Sequence, residues 1–144
     1  MTIDEQIEFL RRATTEIISV EDLKKKMIKS EKTGKPLRVK LGVDPTASSV
    51  TLGWAVVLRK LRDFQTLGHD AVLIIGDFTA TIGDPSGKSK TRKQLSREEV
   101  DVFFRDLEPQ FYKILIREKT HIYHNSDWLA PMQFADVIQL CSKT

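Results

Sequence analysis

The sequence predicts an α/β domain built on a parallel sheet and preceded by a helical arm. Three observations predict it. Strand-length apolar runs, Leu37 to Leu41 and Ala71 to Ile75, are separated by segments whose apolar residues recur at helical spacing. Turn-forming residues follow each run, at Gly42 to Ser49 and again from Gly76. Ala71-Val-Leu-Ile-Ile75 is continuously apolar, as a strand covered on both faces of a parallel sheet is.

The elements follow in order. Ile7, Leu10 and Ile17 recur at helical spacing among charged residues, which predicts an amphipathic first helix. Ser19, with Asp22 three residues on, predicts the cap of a second helix whose apolar stripe is Val20, Leu23 and Met27. Gly34 and Pro36 end it. Leu37, Val39 and Leu41 alternate with Arg38 and Lys40 as a strand does. From Leu52 to Leu67 the spacing is helical, with Val57, Leu61 and Phe64 on one face, Arg59, Lys60, Arg62 and Asp63 outside, and Gly68 as terminator. After the apolar run, Gly76 to Lys93 reads as a long loop, a length that points to function in a compact domain. Ser96 and Glu99 form a capping box that opens a helix to about Leu115. His121 to His124 predicts a further strand, and Phe134 to Leu140 begins a last helix. Residues 1–36 then form the arm and 37–144 the sheet domain.

Of 144 residues, 40% are hydrophobic and 30% charged, a globular balance that excludes disorder. The formal charge of +3 permits a polyanionic partner without requiring one. The lysines between Lys24 and Lys35 are mixed with Glu31 and read as a solvated helix face. Cys141 is the single cysteine, so no internal disulfide forms, and it reads as a small apolar residue. No run reaches membrane-spanning length and no signal region opens the chain, so a cytoplasmic protein is expected.

In a parallel sheet, ligands gather beyond the carboxyl ends of the strands. Three segments fall there: Gly42 to Thr46, Gly76 to Arg92, and Asn125 to Trp128. The second carries Lys88, Lys90 and Arg92, suited to phosphates, and Asp77 and Asp84, suited to an ammonium group or a metal ion. A nucleotide and a zwitterion are the chemistry this suggests. Gly83 to Ser89 is one residue short of a phosphate-binding P-loop, which needs four residues between its glycines.

Leu41-Gly-Val-Asp-Pro-Thr46 with Leu52-Gly53, Gly76-Asp-Phe-Thr-Ala-Thr-Ile-Gly-Asp-Pro-Ser-Gly-Lys88, and Asn125-Ser-Asp-Trp128 resemble, in order, three signatures of bacterial tyrosyl-tRNA synthetases. The resemblance covers essentially the whole chain. It implies a truncated Rossmann-like, nucleotide-binding sheet and a ligase that joins tyrosine to ATP as tyrosyl-adenylate, then transfers tyrosine to tRNA. By matching position it implies that Thr79, Asp84 and Asn125 surround the tyrosine, with Thr79 and Asp84 on its ammonium group. Gly42 and Asp44 would back the adenylate, Thr46 would touch the ATP phosphates, and Lys88 and Arg92 would embrace pyrophosphate. ATP enters as substrate, accompanied by Mg2+, and no redox cofactor is implied. The family also implies a homo-oligomer.

Two departures qualify the resemblance. The family's His-Leu-Gly-His motif reads Thr51-Leu-Gly-Trp54, so two donors to the ATP phosphates are replaced, although Gly53 remains. Losing one transition-state donor costs on the order of a few kcal/mol. The chain also ends before the family's second half-sheet, its Lys-Met-Ser-Lys-Ser loop and its tRNA-binding domain. An impaired partial catalytic domain is therefore expected. The rival expectation is a non-catalytic paralogue or engineered fragment that self-associates, with the Trp54 indole plugging the ATP site beside Gly53.

Overall fold

The computed structural model describes residues 1–82 and 95–143. Helices α1 (Ile3–Arg11) and α2 (Val20–Thr33) form the arm. The elements β1 (Arg38–Val43), α3 (Leu52–Thr66), β2 (Asp70–Ile75), α4 (Asp77–Ile82), α5 (Arg97–Phe111), β3 (Thr120–His124), α6 (Ser126–Leu129) and α7 (Phe134–Cys141) follow. The three strands make one parallel sheet in the order β1-β2-β3.

The central strand β2 carries Leu73 and Ile75 with no exposed surface, because helices and both neighbouring strands enclose it. Leu58 and Leu61 of α3 and Leu107 and Phe111 of α5 complete this core. A second cluster of Ile7, Leu10 and Met27 joins the arm to Leu37, Phe64 and Leu67. The Lys60 ammonium donates to the carbonyls of Leu10 and Arg12 at 2.9 and 2.7 Å, and so closes the end of α1. It is not the solvated charge its place outside the apolar face predicts.

The caps follow the sequence closely. Ser96 and Glu99 form the reciprocal capping box of α5, and Gly34 takes the left-handed conformation at φ 66° that ends α2. Ser19 accepts from Asp22 N–H at 3.2 Å, while the Asp22 carboxylate pairs with Lys25 instead of returning to the cap.

Four expectations need correction. The first helix stops at Arg11, where Thr14 and Lys60 take the Leu10 carbonyl, so Ile17 lies beyond it. Val57 is 44% exposed, since the buried face of α3 runs through Leu58, Leu61 and Gln65. Residues Asp77–Ile82 of the expected loop form α4. Helix α5 ends at Phe111, four residues before Leu115.

Candidate functional site

The register of the sheet builds the site. Val43 is aligned with Ile75, and Ile75 with His124, so Asp44, Gly76 and Asn125 emerge side by side at the carboxyl edge. Two further bonds prolong the ladder there: Gly76 N–H donates to Val43 O at 2.8 Å and Asn125 N–H to Ile75 O at 2.9 Å.

Asn125 is buried, and both ends of its amide are used. Its Oδ1 accepts from Phe78 N–H at 2.9 Å, and its Nδ2 donates to Thr79 Oγ1 at 3.0 Å. The Phe78 N–H can only donate, which fixes the amide's orientation. Thr79 Oγ1 in turn lies 3.3 Å from Gly76 O and 3.5 Å from Asp44 Oδ1. Asp44, Thr79 and Asn125 therefore form one polar row from the turn after β1, through α4, to the residue before α6, with Asp44 and Thr79 exposed at its open end.

Gly76 makes this approach possible. A Cβ there would stand 1.8 Å from Asp44 Oδ1 and 2.8 Å from Thr79 Oγ1. Gly42 and Gly53 differ: a Cβ at Gly42 meets nothing within 4 Å, and one at Gly53 meets only Thr51 Oγ1 at 3.9 Å. The space beside Gly53 is open. The Trp54 indole is turned inward onto Phe111, with ring centroids 6.4 Å apart and planes at 26°. It borders an apolar cavity of about 180 Å³ with Leu41, Gly42, Val43, Val57 and Leu58. Thr51 caps α3, its hydroxyl oxygen accepting from Trp54 N–H at 3.3 Å. Thr46 donates its backbone N–H to Asp44 O at 2.9 Å, tightening the turn after β1.

Asp77, expected as a candidate for an ammonium group or metal, is committed elsewhere. Its carboxylate is 3% exposed and accepts from the Ser126 hydroxyl at 2.7 Å, Ser126 N–H at 3.0 Å and Arg97 at 3.1 Å. His124 Nδ1 lies 3.2 Å away. Burial by itself pushes this carboxyl up, but the two Ser126 bonds and the charges of His124 and Arg97 outweigh it and hold the group below its ordinary range. Sequence reasoning missed Arg97, Ser126 and His124 as its partners. Gln110, also missed, pins the loop before α3 by accepting from Val50 N–H at 3.0 Å and donating to Ser48 O at 2.9 Å.

The structure thus brings together Asp44, Thr79 and Asn125, and sets Gly42 and Trp54 around one cavity. The expected Asp84, Lys88 and Arg92 lie outside the described residues. Among the described residues, no group of three or more His, Cys, Asp or Glu side chains could hold a metal ion, and no helix is long and apolar enough to cross a membrane.

A parallel sheet with its polar row at the carboxyl edge defines a Rossmann-like α/β domain. The solved structures agree on the fold. A tyrosyl-tRNA synthetase from Archaeoglobus fulgidus, complexed with L-tyrosine, superposes with a TM-score of 0.79 at 19% identity, covering 99% of this chain and 41% of that one. One from Aeropyrum pernix gives 0.74 at 19% identity, over 99% and 40% of the two chains. A family model described as tRNA synthetases class I (W and Y) matches residues 31–144. The chain belongs to this family. It is 57% identical over 141 residues to the tyrosine-tRNA ligase of Chlorobium chlorochromatii, covering 98% of this chain and 35% of that protein. The tyrosine-tRNA ligase of Carboxydothermus hydrogenoformans is 54% identical over 146 residues, covering 99% of this chain and 36% of the relative. The chain therefore spans about a third of the length of these curated relatives.

Proposed function

We propose that this chain supplies the amino-acid side and part of the ATP side of a tyrosine-tRNA ligase site, with tyrosine activation and transfer to tRNA as activities of the whole protein. The observation that carries this reading is the bonded row Asp44–Thr79–Asn125 at one level of the sheet. Thr79, held by Asn125, offers its oxygen to the tyrosine ammonium group, and Asp84 adds the opposing charge. Gly42 and Gly53 leave backbone open to a nucleotide, with Asp44 behind the adenylate and Thr46 near the phosphates. Lys88 and Arg92 balance the charge of departing pyrophosphate.

In the reaction proposed, a tyrosine carboxylate oxygen bonds to the α-phosphorus while the bridging P–O bond breaks and its electron pair leaves with pyrophosphate. The protein's task is positioning and charge stabilisation. Mg2+ would arrive with ATP as part of the substrate. Thr51 and Trp54 offer weaker phosphate contacts than two imidazoles, which makes adenylate formation slow. The inward packing of Trp54 favours this reading over a plugged site. The exposed apolar residues Phe134, Val137, Ile138 and Leu140 on α7 support self-association.

Isothermal titration of the chain with tyrosine tests the reading. Binding that weakens at least about tenfold in Thr79→Ala and Asn125→Ala is expected, with a lower thermal midpoint in Thr79→Ala because Asn125 Nδ2 loses its acceptor. Equal heats for tyrosine and leucine, or binding indifferent to both substitutions, would sink it.

A further inference from the structure

Both chain neighbours of Asn125 are tied to one buried carboxylate. The Ser126 hydroxyl donates to Asp77 Oδ2 at 2.7 Å, the Ser126 backbone N–H donates to Oδ1 at 3.0 Å, and His124 Nδ1 lies 3.2 Å from Oδ2. The carboxylate is itself fixed, with 3% of the side chain exposed and Arg97 of α5 donating to Oδ2 at 3.1 Å. Phe78 N–H supplies a further link, standing 2.9 Å from both Asp77 Oδ1 and Asn125 Oδ1.

These ties bear on a choice open to Asn125. It precedes α6, the position from which an asparagine side chain ordinarily caps its own helix. Among the described residues it makes no such cap bond, because its amide is spent on Phe78 and Thr79. Asp77 takes the N–H of Ser126, the first residue of α6, in its place. The sheet ladder ends with Asn125 N–H on Ile75 O, and the backbone turns there at φ −71° and ψ −17°. Beyond that point it is Asp77 that holds the chain. Thr79 Oγ1 receives the Asn125 donor on one lone pair and keeps a second for a ligand's N–H.

We propose that Asp77 is a positioning residue for the amino-group end of the site. By gripping the residues on either side of Asn125 and accepting the first N–H of α6, it keeps the Asn125 amide on Thr79 Oγ1. That bond orients the Thr79 oxygen for the substrate's ammonium group. The inference rests on the reading of Thr79 and Asn125 as the place of that group. Asp77 acts only through these two residues, since its own carboxylate is enclosed by Ser126, Arg97 and His124. Without it, Asn125 is released to cap α6 and Thr79 loses its donor.

Calorimetry with L-tyrosine and with 3-(4-hydroxyphenyl)propionate, which keeps the ring and carboxylate but lacks the ammonium group, tests this. The ratio of the two dissociation constants reads the ammonium contact, whereas a mere brace would weaken both ligands alike. Asp77→Ala is expected to lower the preference for tyrosine about threefold to tenfold, as Asn125→Ala does, and the double variant to lower it no further. The side-chain amide resonances of Asn125 should shift in Asp77→Ala. Asp77→Asn, which keeps an acceptor for Ser126 N–H, should fall between wild type and Asp77→Ala, and it decides alone if the alanine variant does not fold. An unchanged preference in the deciding variant, while Thr79→Ala still weakens tyrosine, would overturn the inference and leave the reading of the site standing. If Thr79→Ala also leaves the ratio unchanged, that reading falls and this inference with it.

Discussion

Ser126 grips Asp77 twice, its hydroxyl donating to Oδ2 at 2.7 Å and its backbone N–H to Oδ1 at 3.0 Å. Asp77 follows β2 and Ser126 follows β3, so one carboxylate ties two strand ends together next to Asn125. Arg97 of α5 adds opposite charge, and His124 Nδ1 of β3 lies 3.2 Å from the same oxygen. The folded protein holds this carboxyl below the ordinary value of 3.8. Its contribution to stability is thus complete above that pH and disappears as pH falls through the lowered folded value. Asp77→Asn, which lacks the charge, should be less stable by about 2 kcal/mol at pH 7. Urea unfolding at several pH values should show this gap closing as pH falls below 3.8. A gap that persists unchanged into strong acid would contradict the assignment.

The approach of Asp44 to Gly76 has its own signature. Gly76→Ala puts a methyl group 1.8 Å from Asp44 Oδ1. Asp44 is exposed and its carboxylate can swing away, so the loss of stability should stay near 1 kcal/mol. Asp44→Ala removes the nearer obstruction and leaves Thr79 Oγ1 at 2.8 Å, so Gly76→Ala should cost less in that background without becoming free. A double-mutant cycle by urea unfolding is expected to give a coupling of up to about 1 kcal/mol. Strict additivity would show that the two residues do not meet.

Gly53 offers the opposite case. Its added Cβ meets open space, and it lies in the first turn of α3, where glycine is less favourable than alanine. Gly53→Ala should raise stability by up to about 1 kcal/mol in thermal unfolding. If a nucleotide approaches the backbone there, the same methyl group weakens ATP binding in calorimetry. Higher stability with undiminished ATP affinity would move the nucleotide away from α3.

What the sequence made legible is local. Alternation at Leu37, Val39 and Leu41, the apolar run at Ala71 to Ile75, and the Ser96–Glu99 box act within a few residues and gave strands and caps directly. Thr79 and Asn125 were legible through family resemblance, yet their mutual hydrogen bond depends on strand register, which no single segment carries. Asp77 was misread because its partners lie 20 to 49 residues away and a buried carboxylate looks, in sequence, like an available one. Lys60 was misread for the same reason: its partners are the carbonyls of Leu10 and Arg12, at the far end of another helix.

Gln65 shows how much such distant partnership weighs. It is fully buried on α3, and its amide holds the turn that leads into β3. Its Oε1 accepts from Ile116 N–H at 2.8 Å, while its Nε2 reaches Lys119 O and Thr120 Oγ1, both at 2.9 Å, and Ile116 O at 3.2 Å. Gln65→Leu keeps the bulk and deletes every bond. Ile116 O retains the Thr120 hydroxyl at 2.7 Å, so the loss concentrates on Ile116 N–H and Lys119 O, and should total about 2–4 kcal/mol. Gln65→Glu keeps the acceptor for Ile116 N–H but turns a carboxylate towards two carbonyls, so it should be the worse of the two at neutral pH. Urea unfolding ranks the variants, and amide exchange at Ile116 should accelerate more in Gln65→Leu than in Gln65→Glu once both are corrected for global stability. The reverse order at Ile116 would mean that the turn is held by Thr120 alone.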